Sequence, residues 1–135
     1  MFNTVLFPID LSPEAEQAAS LTVDLVKAHR SRLIVLSVVE SASDESGQAV
    51  SQTSPEAVAR LLAQAKSLFT EKGITCETME RQGQPAFVIC DVADEINADL
   101  IVMGCRGIGL IEEAKTESVT NRVINLAPCP VLVVP

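Results

Sequence analysis

The chain has 135 residues, enough for one domain of ordinary size and short for two. Apolar residues make up 47% of it and charged residues 21%, enough to bury a core and to exclude wholesale disorder. Eighteen acidic side chains against ten basic ones leave a formal charge of -8, which repels nucleic acid, and the only aromatics are four Phe, too few for a base-stacking platform. No apolar run approaches the ~20 residues of a membrane span, and no basic-then-apolar leader opens the chain. These features predict a soluble, cytoplasmic domain spanning 1–135, with no nucleic-acid or membrane partner. The four cysteines (Cys76, Cys90, Cys105, Cys129) form no CxxC pair and have a single histidine, His29, for company, so no zinc site is expected and the thiols are expected to be reduced.

In chain order, Thr4–Ile9 reads as a strand. Ser12-Pro13-Glu14 then carries a helix start: a capping serine, proline at the first helical position and an acid at the positive dipole end. Ala15, Ala18, Ala19, Thr22, Leu25 and Val26 form one face of that helix. Arg32–Val39 is a second strand, and the polar stretch Glu40–Thr53 is a long surface loop. Ser54-Pro55-Glu56 repeats the start signal for a helix with Val58, Leu61, Leu62, Ala65 and Phe69 on its apolar face, closed by Gly73. Ile74–Glu80 is a mixed strand suited to a sheet edge. Pro85 opens a third helix carrying Val88, Ile89, Val92, Ala93 and Ile96, with Asp91, Asp94 and Glu95 on its solvated side. Asp99–Gly104 is a strand, Cys105–Glu117 a second long connection, Ser118–Ala127 a short helix, and Pro130–Val134 the last strand.

Strands one, two, four and five are nearly continuous apolar runs, as strands covered on both faces of a parallel sheet must be. The alternation predicts a single α/β doubly wound domain with five parallel strands and four helices. Ligands of such sheets sit outside the carboxyl ends of the strands. That edge gathers Pro8, Ile9 and Asp10, Val38 and Val39, and the chain from Met103 onward. Gly104-Cys-Arg-Gly107-Ile-Gly109 leaves the same edge. Its glycines either let backbone N–H groups approach a phosphate or make a plain tight turn. Neither a Walker loop nor a dinucleotide fingerprint matches: Leu110 and Ile111 follow Gly109 where Lys and Ser/Thr would stand, and Glu112 sits where a third glycine is needed.

Val5-Leu-Phe-Pro8-Ile-Asp10-Leu-Ser12, Ala98-Asp-Leu-Ile-Val-Met103-Gly104 and Ser118-Val119 followed by Ala127-Pro-Cys-Pro-Val-Leu-Val-Val134 closely resemble the universal stress protein family, over essentially the whole chain. The resemblance implies strand order 3-2-1-4-5 and an adenine-nucleotide site. In it Asp10 meets the adenosine with Pro8 and Val38 around it, Met103 and Gly104 end the fourth strand, and Ser118 and Val119 offer N–H groups to phosphates at a positive helix end. It also implies a homodimer in which the fifth strands pair across a two-fold axis, here through Val131, Leu132, Val133 and Val134. An unidentified regulatory protein partner is expected as well.

The family's nucleotide-binding pattern is Gly, two residues, Gly, nine residues, Gly, then Ser or Thr. This chain keeps the spacing with Gly104, Gly107 and Ser118, but Glu117 replaces the third glycine. A Cβ there costs about 1–2 kcal/mol where glycine used a left-handed φ. A carboxylate ~5 Å from a phosphate charge repels it by about 3 kcal/mol at an effective dielectric of ~20, an affinity loss of over about a hundredfold. The same carboxylate has two other uses: capping the helix in place of a phosphate, or pointing to solvent. The reading is a regulatory protein that binds AMP, ADP or ATP, with or without Mg2+, at a weakened triphosphate site. The alternative is an interaction module that binds no nucleotide.

Other side chains carry open readings. Asp10 is either a ligand contact or a turn residue before Ser12. Arg106 either meets a phosphate or is a solvated charge. Gly109 belongs with the glycine loop. Cys105 beside the site leaves room for redox sensing. His29, at the end of the first helix, is a cation near a helix C-terminus and no general base, so catalysis is expected to be absent or vestigial.

Overall fold

The computed structural model describes residues 2–9, 15–39, 55–104 and 119–135. The order is β1 (Thr4–Ile9), α1 (Ala15–His29), β2 (Arg32–Val39), α2 (Pro55–Glu71), β3 (Cys76–Gln82), α3 (Pro85–Glu95), β4 (Leu100–Gly104), helix α4 over residues 119–126, and β5 (Val131–Val134). The strands form one sheet in order β3-β2-β1-β4-β5, every neighbouring pair parallel. This is the doubly wound α/β architecture, strand order included, that the sequence and its resemblance imply.

Alternation along each strand feeds two cores. Val5, Phe7, Leu33 and Val35 meet Ala18, Ala19, Val23 and Val26 of α1 and Val58, Leu62 and Phe69 of α2. Leu6, Ile34, Leu36, Ile101 and Met103 point to the other face, against Ala86, Ile89 and Ala93 of α3 and Val123 of α4. Phe7 and Phe69 meet edge to face across the first core, with centroids 6.1 Å apart. β2 lies between two strands and is buried over Leu33–Ser37, whereas β3, at the edge, is exposed over most of its length.

Three helices end alike. The N–H of Ser31, Ile74 and Ala98 reaches back five residues to the carbonyls of Val26, Phe69 and Ala93, at 3.1, 2.8 and 2.8 Å. The residue before each donor is left-handed: Arg30 (φ 53), Gly73 (φ 82) and Asn97 (φ 54). This closure satisfies the last helical carbonyls and turns the chain towards the next strand. It also corrects the third strand, which starts at Cys76 rather than Ile74 because the Ile74 N–H closes α2. β3 then runs on to Gln82 because β2 continues to Val39, its partner.

β4 begins one residue later than predicted, since Asp99 is a clamp: its N–H donates to the Thr4 carbonyl at 2.8 Å. Its Oδ2 accepts the Asn3 and Thr4 N–H groups, each at 2.9 Å. β5 begins at Val131; the Pro130 carbonyl accepts the Ile101 N–H at 3.0 Å. His29 stacks edge-on against Phe2 at 5.1 Å, at the end of the sheet where the strands begin.

Candidate functional site

The chain leaves β1 for α1 on one face of the sheet and leaves β4 for α4 on the other, so β1 and β4 flank the point where the winding reverses. Their pairing is short. β1 pairs with β2 over six residues, Thr4 to Ile9, but with β4 only at Val5↔Leu100 and Leu6↔Ile101. Beyond Leu6 and Ile101 the register pairing of the two strands ends, towards the carboxyl edge of the sheet. Pro8 stands just past that point. Lacking an N–H, it fits a central strand where the ladder to one neighbour has ended.

Pro8, Val38, Gly104 and Val119 are half-buried and Met103 is buried. Val38, Met103 and Val119 all pack with the core under α3 and α4. Pro8, two residues past Leu6 on β1, shares that face by strand alternation. The structure therefore brings together, on one face at one edge, the described members of the set expected from the sequence. Asp10, Arg106, Gly107, Gly109, Glu117 and Ser118 lie outside the described residues, as do Cys105, the helix starts at Ser12 and Ser54, and the loop Glu40–Thr53.

Two features fit a polar ligand with an apolar base or ring. At Gly104, nothing among the described residues lies within 4 Å of where a Cβ would stand, so there is room beside the end of β4. Thr120, on α4, is buried, and among the described residues its Oγ1 has no hydrogen-bond partner. A buried hydroxyl without a partner costs about 1–3 kcal/mol, which a bound polar group or ordered water offsets. Sequence reasoning passed over Thr120. Its signal was helical spacing, since Val123 and Ala127 on the same stripe are apolar core positions while Thr120 carries a hydroxyl.

Among the described residues no group of three or more His, Cys, Asp or Glu is placed to hold a metal ion. No helix among them is long and apolar enough to cross a membrane. His29 is at the opposite edge of the sheet from Pro8 and Met103.

The whole chain, residues 1–135, matches the universal stress protein family. A universal stress protein of Synechocystis sp. is 60% identical over 136 residues, covering 100% of this chain and 87% of that protein. Among solved structures, a universal stress protein in complex with cAMP superimposes with a TM-score of 0.79 at 24% identity, covering 99% of this chain and 97% of that one. The universal stress protein of Archaeoglobus fulgidus in complex with dAMP gives a TM-score of 0.72 at 22% identity, covering 99% of this chain and 98% of that one. Motif, sheet order and relatedness over the full length agree: the chain belongs to the universal stress protein family.

Proposed function

We propose that this protein is a cytoplasmic, adenine-nucleotide-binding regulator of the stress response, working as a homodimer, with a weakened triphosphate site. The observation that supports the reading is the end of the β1–β4 ladder at Leu6↔Ile101, which leaves Pro8 and Gly104 half-buried at the winding reversal. The cAMP and dAMP complexes of two neighbours support an adenine ligand in this fold.

In this reading Pro8, Asp10 and Val38 surround the adenosine, and Met103 and Gly104 end the strand beneath it. Arg106, Gly107, Gly109, Ser118 and Val119 meet the phosphates, with Thr120 beneath them. The nucleotide supplies negative charge and a base that report cellular state; Mg2+ enters only with the phosphates. Glu117 next to the phosphate-binding N–H groups disfavours the longer phosphate chains. Hydrolysis stays near background, because a helix end that steadies phosphates without a positioned base lowers only part of the barrier. The partner that reads the signal is a protein.

Purified protein, heat-denatured and centrifuged, tests this by chromatography of the supernatant. Adenine nucleotide, mostly mono- and diphosphate, is the expected release. A protein that releases none, and takes up none when incubated with millimolar AMP, is the interaction module of the alternative reading, for which Glu117 occupies the phosphate position.

A further inference from the structure

We propose that the outer face of α3 docks a basic amphipathic helix of a partner protein, with Phe87 as the apolar anchor and Asp91 and Asp94 as its counter-charges. The inner face of α3 is already taken: Ala86, Ile89, Cys90, Val92 and Ala93 are buried in the core beneath it. Phe87 lies outside that face and is 50% exposed, whereas Phe7 and Phe69 are buried and Phe2 packs on the core across the sheet. At about 100° per residue, Phe87, Asp91 and Asp94 share a stripe about 60° wide on the helix surface. Asp91 is about 6 Å and Asp94 about 10.5 Å along the axis from Phe87. Both carboxylates are exposed. Among the described residues neither is in an ion pair, while Glu95 beside them is bonded to Arg81 at 3.2 Å.

These charges conflict with the helix that carries them. α3 has no acid in its first turn and no base in its last, and it ends on Asp94 and Glu95, where the negative end of the helix dipole repels carboxylates. Asp91 has like charges three and four residues away. α1 shows the favourable arrangement, with Lys27 and His29 in its last turn. Local choices that oppose the fold mark positions kept for another purpose. Cationic side chains over Asp91 and Asp94 offset both repulsions, and an apolar one over Phe87 removes its ring from water. The matching helix carries an apolar residue with Lys or Arg four and seven positions from it. The net charge of -8 draws such a partner in. α3 shares its core with Ile34 and Leu36 of β2, and β1 and β4 separate β2 from β5, so pairing through β5 would leave this face uncovered. Docking rests on α3 alone and is independent of any nucleotide.

A phage library of random peptides of about twelve residues, panned on the full chain, is the probe. The peptides expected to be enriched carry an apolar residue with Lys or Arg four and seven positions away. Fluorescence anisotropy of those peptides should show binding weakened about tenfold or more by Phe87→Ser, by Asp91→Asn with Asp94→Asn, and by about 0.5 M salt. The asparagine pair should also raise Tm by roughly 2–5 °C, as relief of repulsion within α3 requires, so that lost binding is not lost folding. Asp91→Lys with Asp94→Lys should instead bind the same peptides with their bases changed to Glu. Enriched peptides without basic character, peptides that every variant binds equally, or no enrichment over panning on bare support would each overturn the proposal. So would an asparagine pair that lowers Tm.

Discussion

Asp99 holds the start of the sheet with one oxygen: its Oδ2 accepts the N–H groups of Asn3 and Thr4 while its own N–H bonds Thr4. Hydrogen bonds to a charged acceptor are worth about 1.5–3 kcal/mol buried and less here at the surface. Asp99→Ala is therefore expected to cost about 1–2 kcal/mol, lowering Tm by roughly 3–8 °C, with Asp99→Asn recovering part of it. A melting curve unchanged by the alanine would contradict the clamp. Arg32 and Glu77 pair across β2 and β3, with a second hydrogen bond at 2.8 Å, yet both side chains are more than half exposed. The hydrogen bond from Arg32, and its charge, hold the Glu77 carboxyl below its ordinary value near 4.5. A depressed carboxylate contributes stability that is complete above that ordinary value and is lost as pH falls through the lower folded value. The Tm gap between wild type and Glu77→Gln should thus be constant from neutral pH down to about 5 and close below it. A gap that widens towards acid would contradict the pairing.

The junctions between elements show what was legible in the sequence. Gly83 joins β3 to α3 at φ +142, donating its N–H to the Val39 carbonyl at 3.0 Å, and a Cβ there would press on Val88 Cγ2. Gly83→Ala is expected to cost roughly 1–3 kcal/mol by denaturant midpoint, and adding Val88→Ala should recover the steric share only. Full recovery would mean the backbone is unstrained. The closure of α2 was readable, because Gly73 announces a left-handed residue. Those of α1 and α3 were not: Arg30 bears no such mark, and Asn97 only a weak one. The bounds of β3 were misjudged for a related reason, since apolar Ile74 looks like a strand residue while its N–H serves the helix before it. The hydrophobic runs revealed the sheet and the carboxyl edge of the site, as both follow from periodicity. The early end of the β1–β4 ladder was not legible, because it depends on register between strands distant in sequence. Thr120 was missed because its hydroxyl matters only once the helix face is known to be buried.

At the scale of the molecule the two sheet edges differ in kind. β3 presents Glu77, Glu80 and Arg81 and is blunted by charge, whereas β5 is Val131–Val134, apolar and half-buried on every residue. In the proposed homodimer this apolar edge strand pairs with its twin, and the flanking prolines would limit the new ladder to four residues, so that a two-fold arrangement would close at two chains. Val133→Lys is the mildest probe, because Val131 packs on one core and Leu132 and Val134 on the other. Light scattering should give twice 14.4 kDa for wild type and a shift towards half of that for the variant. A wild-type monomer at tens of micromolar would refute the dimer, and a dimer untouched by lysine would move its interface elsewhere. The proposed ligand rests on the same architecture: the carboxyl edge between β1 and β4 for the nucleoside, and a glutamate where the family's pattern has glycine. Calorimetry of AMP and ATP at fixed Mg2+, on wild type and Glu117→Gly, tests this most directly. Micromolar or weaker binding is expected, AMP at least as tight as ATP, with the glycine strengthening ATP by about tenfold or more and leaving AMP nearly unchanged. Wild-type protein that binds ATP far more tightly than AMP, or binds neither, would contradict it.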